Sequence, residues 1–144
     1  MPEQNAPINA ALVGFGTGGK LFHAPIISCA QNINLTAIVT GNPARQSQAQ
    51  KYQEAVIYES LDKLLAERSD IDLIVLTTPN STHHKLAIQA LQAGINVVVD
   101  KPFAVTTLEA DEMLKVASEQ NKIICPYQNR RFDSDFLTLK KVIK

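Results

Sequence analysis

The chain has no tryptophan, only two cysteines and no surplus of charge of either sign, since 14 Lys and Arg balance 14 Asp and Glu over 144 residues. Zero net charge removes the electrostatic case for nucleic acid or an anionic membrane as partner. No apolar run approaches the roughly 18 residues that a membrane-spanning helix needs. Met1 to Ala10 carries neither a basic start nor an apolar core, so it does not read as a signal peptide. Cys29 and Cys125 are far apart and form no C-x-x-C pair. No metal site is expected, and both cysteines read as small buried side chains of a cytoplasmic protein. What is present is ordinary for one globular domain with a real core: 45% hydrophobic and 19% charged residues.

Taken in order, the chain alternates between two periodicities. Residues 1–7, polar with two prolines, read as a loose tail. Ile8 to Val13 is apolar on both faces and predicts a parallel strand buried on both sides. Lys20 to Ala30 is helical in pattern but holds Pro25, which predicts a break near His23-Ala24-Pro25. Ile33 to Val39 is a β-branched strand, followed by the turn cluster Thr40-Gly41-Asn42-Pro43 and a helix over about 44–52. A short strand is expected near Ala55 to Tyr58. Ser60 caps a helix with Leu61, Leu64 and Leu65 on one face. Ile71 to Leu76 reads as a central strand. The next helix carries Leu86, Ala87, Ala90 and Leu91 and ends at Gly94. Ile95 to Val99 is another buried strand. Thr106 and Glu109 form a capping box ahead of the stripe Ala110, Met113, Leu114, Ala117. Lys122 to Tyr127 is a sixth strand, and a last helix begins near Phe132 with Phe136, Leu139 and Ile143 on one face. Such alternation predicts an α/β fold: a doubly wound, mostly parallel six-stranded Rossmann sheet with helices on both faces and right-handed crossovers.

In open α/β sheets, ligands bind beyond the carboxyl ends of the strands. The unusual residues of this chain collect there. After the first strand come Gly14, Phe15, Gly16, Thr17, Gly18 and Gly19, in which Gly14, Gly16 and Gly19 spell G-x-G-x-x-G. In a strand–turn–helix setting the first glycine makes the tight turn, the second lets a pyrophosphate approach the backbone, and the third packs helix on strand. After the second strand, where NAD-binding folds place an acid about 20 residues beyond the glycines, stand Thr40, Gly41 and Asn42, with Arg45 beyond. A carboxylate would repel a 2′-phosphate. Hydroxyl, amide and guanidinium groups suit one. NADP(H) is therefore the expected cofactor, with NAD(H) possible. The plain alternative for Arg45 is a solvated helix residue.

With Gly14–Gly19, Thr78-Pro79-Asn80 and His83 in the stretch T-P-N-S-T-H, and Asp100-Lys101-Pro102 in order and spacing, the chain resembles the Gfo/Idh/MocA family of nicotinamide-dependent sugar and polyol dehydrogenases over essentially its whole length. Phe22-His23-Ala24-Pro25 and Tyr127 to Phe132 resemble one subgroup, the NADP-dependent scyllo-inositol dehydrogenase-like proteins. The resemblance implies a two-domain protein of about twice this length. Residues 1–144 would be the cofactor-binding half, as a cloned fragment or truncated gene product. The half carrying the substrate pocket and oligomer interface would be absent. It also implies that Thr78, Pro79 and Asn80 line the path of the cofactor, with Asn80 touching it. His83 matches the family's P-N-x-x-H histidine and is read as structural support near the site. His84 falls outside that motif and reads as surface.

Lys101 is the catalytic candidate. The family motif is Glu-Lys-Pro, and Asp100 keeps the acid one methylene shorter, with contacts expected to the cofactor or to the lysine backbone. In the family the lysine reaches the substrate hydroxyl, where a cation lowers the cost of alkoxide character. The plain alternative is a surface lysine ending a strand. Asn129 is placed near the nicotinamide by the resemblance, while Arg130 and Arg131 would equally pair with acids of the missing half. His23 would either approach the phosphates or stabilise its turn. Two functions follow. One is an oxidoreductase moving hydride between NADP(H) and a sugar or cyclitol, inactive as this half alone and homo-oligomeric when whole. The other is a stand-alone NADP(H)-binding module without catalysis, against which the intact Lys101 motif argues.

Overall fold

The computed structural model describes residues 6–143, so the tail expected at 1–7 lies, through residue 5, outside the described residues. Six strands, β1 (Ile8–Val13), β2 (Ile33–Val39), β3 (Val56–Tyr58), β4 (Leu73–Leu76), β5 (Asn96–Val99) and β6 (Ile124–Pro126), form one sheet in the order β3-β2-β1-β4-β5-β6. Every pairing is parallel. The α-helices between and after them are α1 (Ala24–Cys29), α2 (Pro43–Ala49), α3 (Leu61–Glu67), α4 (His83–Gln92), α5 (Thr107–Glu119) and α6 (Ser134–Val142). The strand order reverses at β1/β4, which puts the switch point of the sheet at the glycine turn.

Alternate residues of the strands feed two cores. Val13, Val39, Leu76 and Val99 point to the layer of α3, α4 and α5, which contribute Leu64, Leu91 and Met113. Leu12, Ile38 and Val75 point to the other layer, with Ala24 and Ile27 of α1 and Ala49 of α2. In β2 the alternation slips once. Ala10 pairs Leu35 but Ala11 pairs Ala37, so Thr36 is the extra residue of a bulge. That slip puts Leu35 and Ala37 in different cores, although two residues apart on a strand they would share a face. It also leaves the Thr36 hydroxyl buried without a partner among the described residues.

The local signals are met at most helix ends. Ser60 Oγ accepts the Lys63 N–H at 3.3 Å. Thr106 and Glu109 close the reciprocal capping box. Gly94 follows α4 at φ +78°. Four expectations are corrected. The helix after the glycine turn does not break at Pro25. A π-helical turn, Gly19–His23, precedes α1, and its extra residue lets Pro25 sit in the first turn of α1, where no N–H is required. Both cysteines are exposed, because Cys29 ends α1 and Cys125 lies on edge strand β6, which is little covered. Leu114 is half exposed, so the buried stripe of α5 is Met113 and Ala117 alone. Strands β4 and β6 and helix α2 are each shorter than the apolar pattern suggests. No residue of α6 is buried, and Phe136 and Leu139 are both exposed. No helix among the described residues is long and apolar enough to cross a membrane.

Candidate functional site

The turn after β1 is locked to its neighbours by backbone bonds. Gly14 N–H donates to Val39 O at 2.9 Å, and Thr77 N–H donates to Val13 O at 2.8 Å. The Thr77 hydroxyl donates to Gly14 O at 2.7 Å. Gly14 has φ +99°, and a Cβ there would stand 2.8 Å from the Thr77 carbonyl carbon. A Cβ on Gly19 would collide with the Gly14 carbonyl oxygen and stand 2.7 Å from Thr77 Oγ1. Gly16 differs from both. The nearest atom to its would-be Cβ is Arg45 Nη1, at 3.9 Å. Two glycines thus serve close packing, and the middle one leaves room for something outside the chain. Lys20 N–H donates to Gly16 O at 2.8 Å, which starts the helix at this point, and first-turn amides of a helix have no partner within it.

Gly16 opens into a cleft of about 960 Å³ across the ends of β1, β2 and β4. The structure brings together there Gly14, Phe15, Gly16, Thr40, Gly41, Asn42, Arg45, Thr78 and Pro79. Phe15 gives the cleft its backbone while its buried ring meets Tyr52 edge-on, centroids 6.1 Å apart. Thr40 spends its backbone on Tyr58 O and Gln46 Nε2, both at 2.8 Å. Asn42 Oδ1 caps α2 by accepting the Arg45 N–H at 3.1 Å, which leaves the Asn42 amide group as donor. Arg45 is exposed and forms no ion pair among the described residues.

Sequence reasoning missed several lining residues. Glu59 and Asp62 border the same cleft, as does Lys85 of α4. Glu59 is occupied by Lys63 at 2.7 Å and Asp62 by Gln89 Nε2 at 2.6 Å. The cleft's acids are therefore engaged, while its cations Arg45 and Lys85 form no ion pair among the described residues. The signal for Lys85 was its place in the first turns of the helix that follows β4.

Thr17, Gly18, Gly19, Asn80, His83, Asp100, Lys101 and Asn129 do not line this cleft. Asn80 and Asn129 are exposed, each opening a short 3-10 turn. His83 is 1% exposed and bridges two loops, with Nε2 2.9 Å from Thr78 O and Nδ1 3.0 Å from Pro102 O. Both partners are carbonyl oxygens, so a ring nitrogen donates to either only when it carries the proton. His84 instead reaches Glu112 of α5 at 2.9 Å. Asp100 Oδ1 accepts the Lys101 N–H at 2.8 Å, and the lysine itself is exposed. Arg130 pairs with Asp133 at 2.7 Å.

His23 is the buried residue that the sequence did not place. Its Nε2 is 3.6 Å from Asp100 Oδ2, just beyond hydrogen-bond length, and its ring leans on Tyr127 with centroids 4.4 Å apart. Burial holds its pKa below the ordinary 6.5, with Asp100 partly offsetting the effect. A neutral native His means that the unfolded chain takes up the proton first. This contribution to stability is therefore complete above the unfolded value of 6.5 and is lost as pH falls toward the lower folded value. Thermal melts should show Tm falling as pH drops through 6.5 and below, with a shallower slope in His23→Gln. An equal slope in the variant would remove His23 as the cause.

A parallel sheet in the order 3-2-1-4-5-6 with a glycine turn at its switch point defines a nucleotide-binding Rossmann domain. The chain belongs to the Gfo/Idh/MocA family: residues 8–128 match the model of this oxidoreductase family, described by its NAD-binding Rossmann fold. The oxidoreductase YdgJ of Escherichia coli K12 is 41% identical over 136 residues, which are 94% of this chain and 38% of that protein. The scyllo-inositol 2-dehydrogenase (NADP(+)) of Bacillus subtilis is 29% identical, over 94% of this chain and 37% of its own length. The crystal structure of an NAD-binding protein from Listeria innocua superposes with a TM-score of 0.88 at 33% identity, over 94% of this chain and 40% of that one. The chain thus spans about two-fifths of the length of the relatives it matches.

Proposed function

We propose that this chain is the cofactor-binding half of an NADP(H)-dependent oxidoreductase acting on a hydroxyl or ketone of a sugar or cyclitol. The observation that carries the reading is the open face of Gly16 in a cleft whose rim holds Thr40, Asn42 and an unpaired Arg45 but no acid at the end of β2. The dinucleotide, when bound, supplies the hydride chemistry. The protein's share is binding and orientation. Glycine-turn amides face the pyrophosphate, Arg45 and the Asn42 amide group receive a 2′-phosphate, and Thr78 and Pro79 border the path beyond. Lys101 donates to the substrate oxygen, stabilising negative charge there and holding the proton in transfer. The cyclitol class is supported by the name of the Bacillus subtilis relative.

A second domain following this one, a cytoplasmic location and a homo-oligomeric whole protein belong to the same proposal. The greater length of the relatives and the unburied apolar face of α6 support the second domain. The test is a calorimetric titration of this chain with NADPH and, separately, NADH. Tighter NADPH binding is expected. In Arg45→Ala, NADPH affinity should fall by about tenfold or more, as for loss of one charge-assisted contact, while NADH affinity stays nearly constant. Tighter NADH binding by the unaltered chain would overturn the cofactor assignment and keep the fold.

A further inference from the structure

We propose that His23 is a positioning residue for Lys101, acting through the Asp100 carboxylate. Two loops meet at its ring, Asp100-Lys101-Pro102 after β5 and Tyr127 after β6, and the ring itself extends from the π-helical turn that follows the glycines. Asp100 is the middle member. Its Oδ1 accepts the Lys101 N–H at 2.8 Å, and its Oδ2 lies 3.6 Å from His23 Nε2. Gly18 leaves space for the same oxygen, since a Cβ there would stand 3.1 Å from Oδ2. The His23 ring is itself held at 5% exposure by the Tyr127 ring, inclined at 53° to it.

A free carboxylate turns about its last side-chain bond. One whose Oδ2 faces a buried imidazole at 3.6 Å, with no room for a side chain at Gly18 beside it, turns its Oδ1 to the Lys101 amide. The lysine side chain is exposed and long, so the direction in which it leaves the sheet edge depends on its backbone. His23 also belongs to the π-helical turn that follows the glycines, so the seat of the phosphates and the backbone of Lys101 are joined through one buried ring. An apolar side chain would fill this space without the cost of burying an imidazole.

The titratable groups that face His23 from neighbouring elements are Asp100 and Tyr127. On its own turn stands Lys20, whose Nζ is 3.2 Å from Gln48 Oε1. The proposal rests on the reading of Lys101 above only for the meaning of its placement. Its test requires neither cofactor nor turnover, so a failed NADPH titration and a failed tether are separate results.

The experiment is a nuclear magnetic resonance titration of the 15N-labelled chain. The Lys101 amide shift is followed with pH alongside the His23 ring signals. The two are expected to move with one midpoint. His23→Leu should abolish that inflection and speed hydrogen exchange at the Lys101 amide by about tenfold or more, as for release of a locally tethered segment. His23→Gln, which brings a donor to the place of Nε2, should restore protection to within about threefold of the unaltered chain. A Lys101 amide that moves only in the carboxylate range, away from the His23 midpoint, overturns the proposal, and this reading stands even if His23→Leu does not fold. Unchanged Lys101 exchange in a folded His23→Leu variant overturns it equally.

Discussion

Lys101→Ala in the whole protein should lower kcat by about two to four orders of magnitude, the usual share of a positioned proton-transfer group, with NADPH affinity changed by less than about threefold. Lys101 stands two residues past the end of β5. Buried Val99 delivers the chain to the sheet edge, Asp100 holds the next amide, and Lys101 leaves into solvent beside the ends of β4 and β6. The exposed side chain belongs to neither core, so truncation at Cβ should leave stability unchanged. The assay pair is NADP with scyllo-inositol, following the name of the Bacillus subtilis relative. Lys101→Arg keeps the charge but releases a proton far less readily, and should recover little of the rate. Turnover unaffected by Lys101→Ala would take the lysine out of the mechanism. Cofactor binding without turnover in the unaltered whole protein would favour the stand-alone binding module.

Two glycines of one motif should fail in opposite ways. Gly19→Ala forces a methyl against the Gly14 carbonyl and Thr77 Oγ1, both fixed by the bonds that close the turn on β4. Overpacking against backbone typically costs about 1–3 kcal/mol and more where nothing can yield. Something near 3 kcal/mol is expected here, or a fall in Tm of roughly 10 °C for a domain of this size. Gly16→Ala meets nothing nearer than Arg45 Nη1 at 3.9 Å. Its Tm should stay within about 2 °C of the unaltered chain. NADPH affinity should nevertheless drop by about tenfold or more, because the methyl occupies the approach of the pyrophosphate. Calorimetry and thermal melts on the two variants separate the roles. Normal NADPH binding by Gly16→Ala would mean that the phosphates lie elsewhere.

The parts of this molecule legible in the sequence are those whose cause is local. The glycine turn, the Ser60 cap, the Thr106–Glu109 box and the apolar strands each need a few neighbouring residues, and each formed where those residues stand. What was not legible depends on partners far along the chain. His23 meets Asp100, 77 positions away, and the sequence offered only phosphates or its own turn as partners. The bulge at Thr36 is a matter of register between β1 and β2, which no residue type announces. Residue type alone predicts burial for Cys29 and Cys125, and their places at a helix end and on an edge strand expose both. Pro25 would break an α-helix that continued through it, and the turn before it is π-helical.

That turn has a consequence for the rotation of everything after it. A residue of α-helix advances about 100° around the axis. The bond from the Ala24 N–H to Gly19 O spans one residue more than an α-helical bond. Residues after the turn therefore sit about one residue-step out of phase with those before it. Ala24 and Ile27 are buried in the later phase, while Gly18 and Gly19 meet Asp100 and the Gly14 carbonyl in the earlier one. Deleting a single residue within Gly19–His23 would merge the two phases. The helix could then keep its glycines at the turn or its apolar residues under the sheet, but not both.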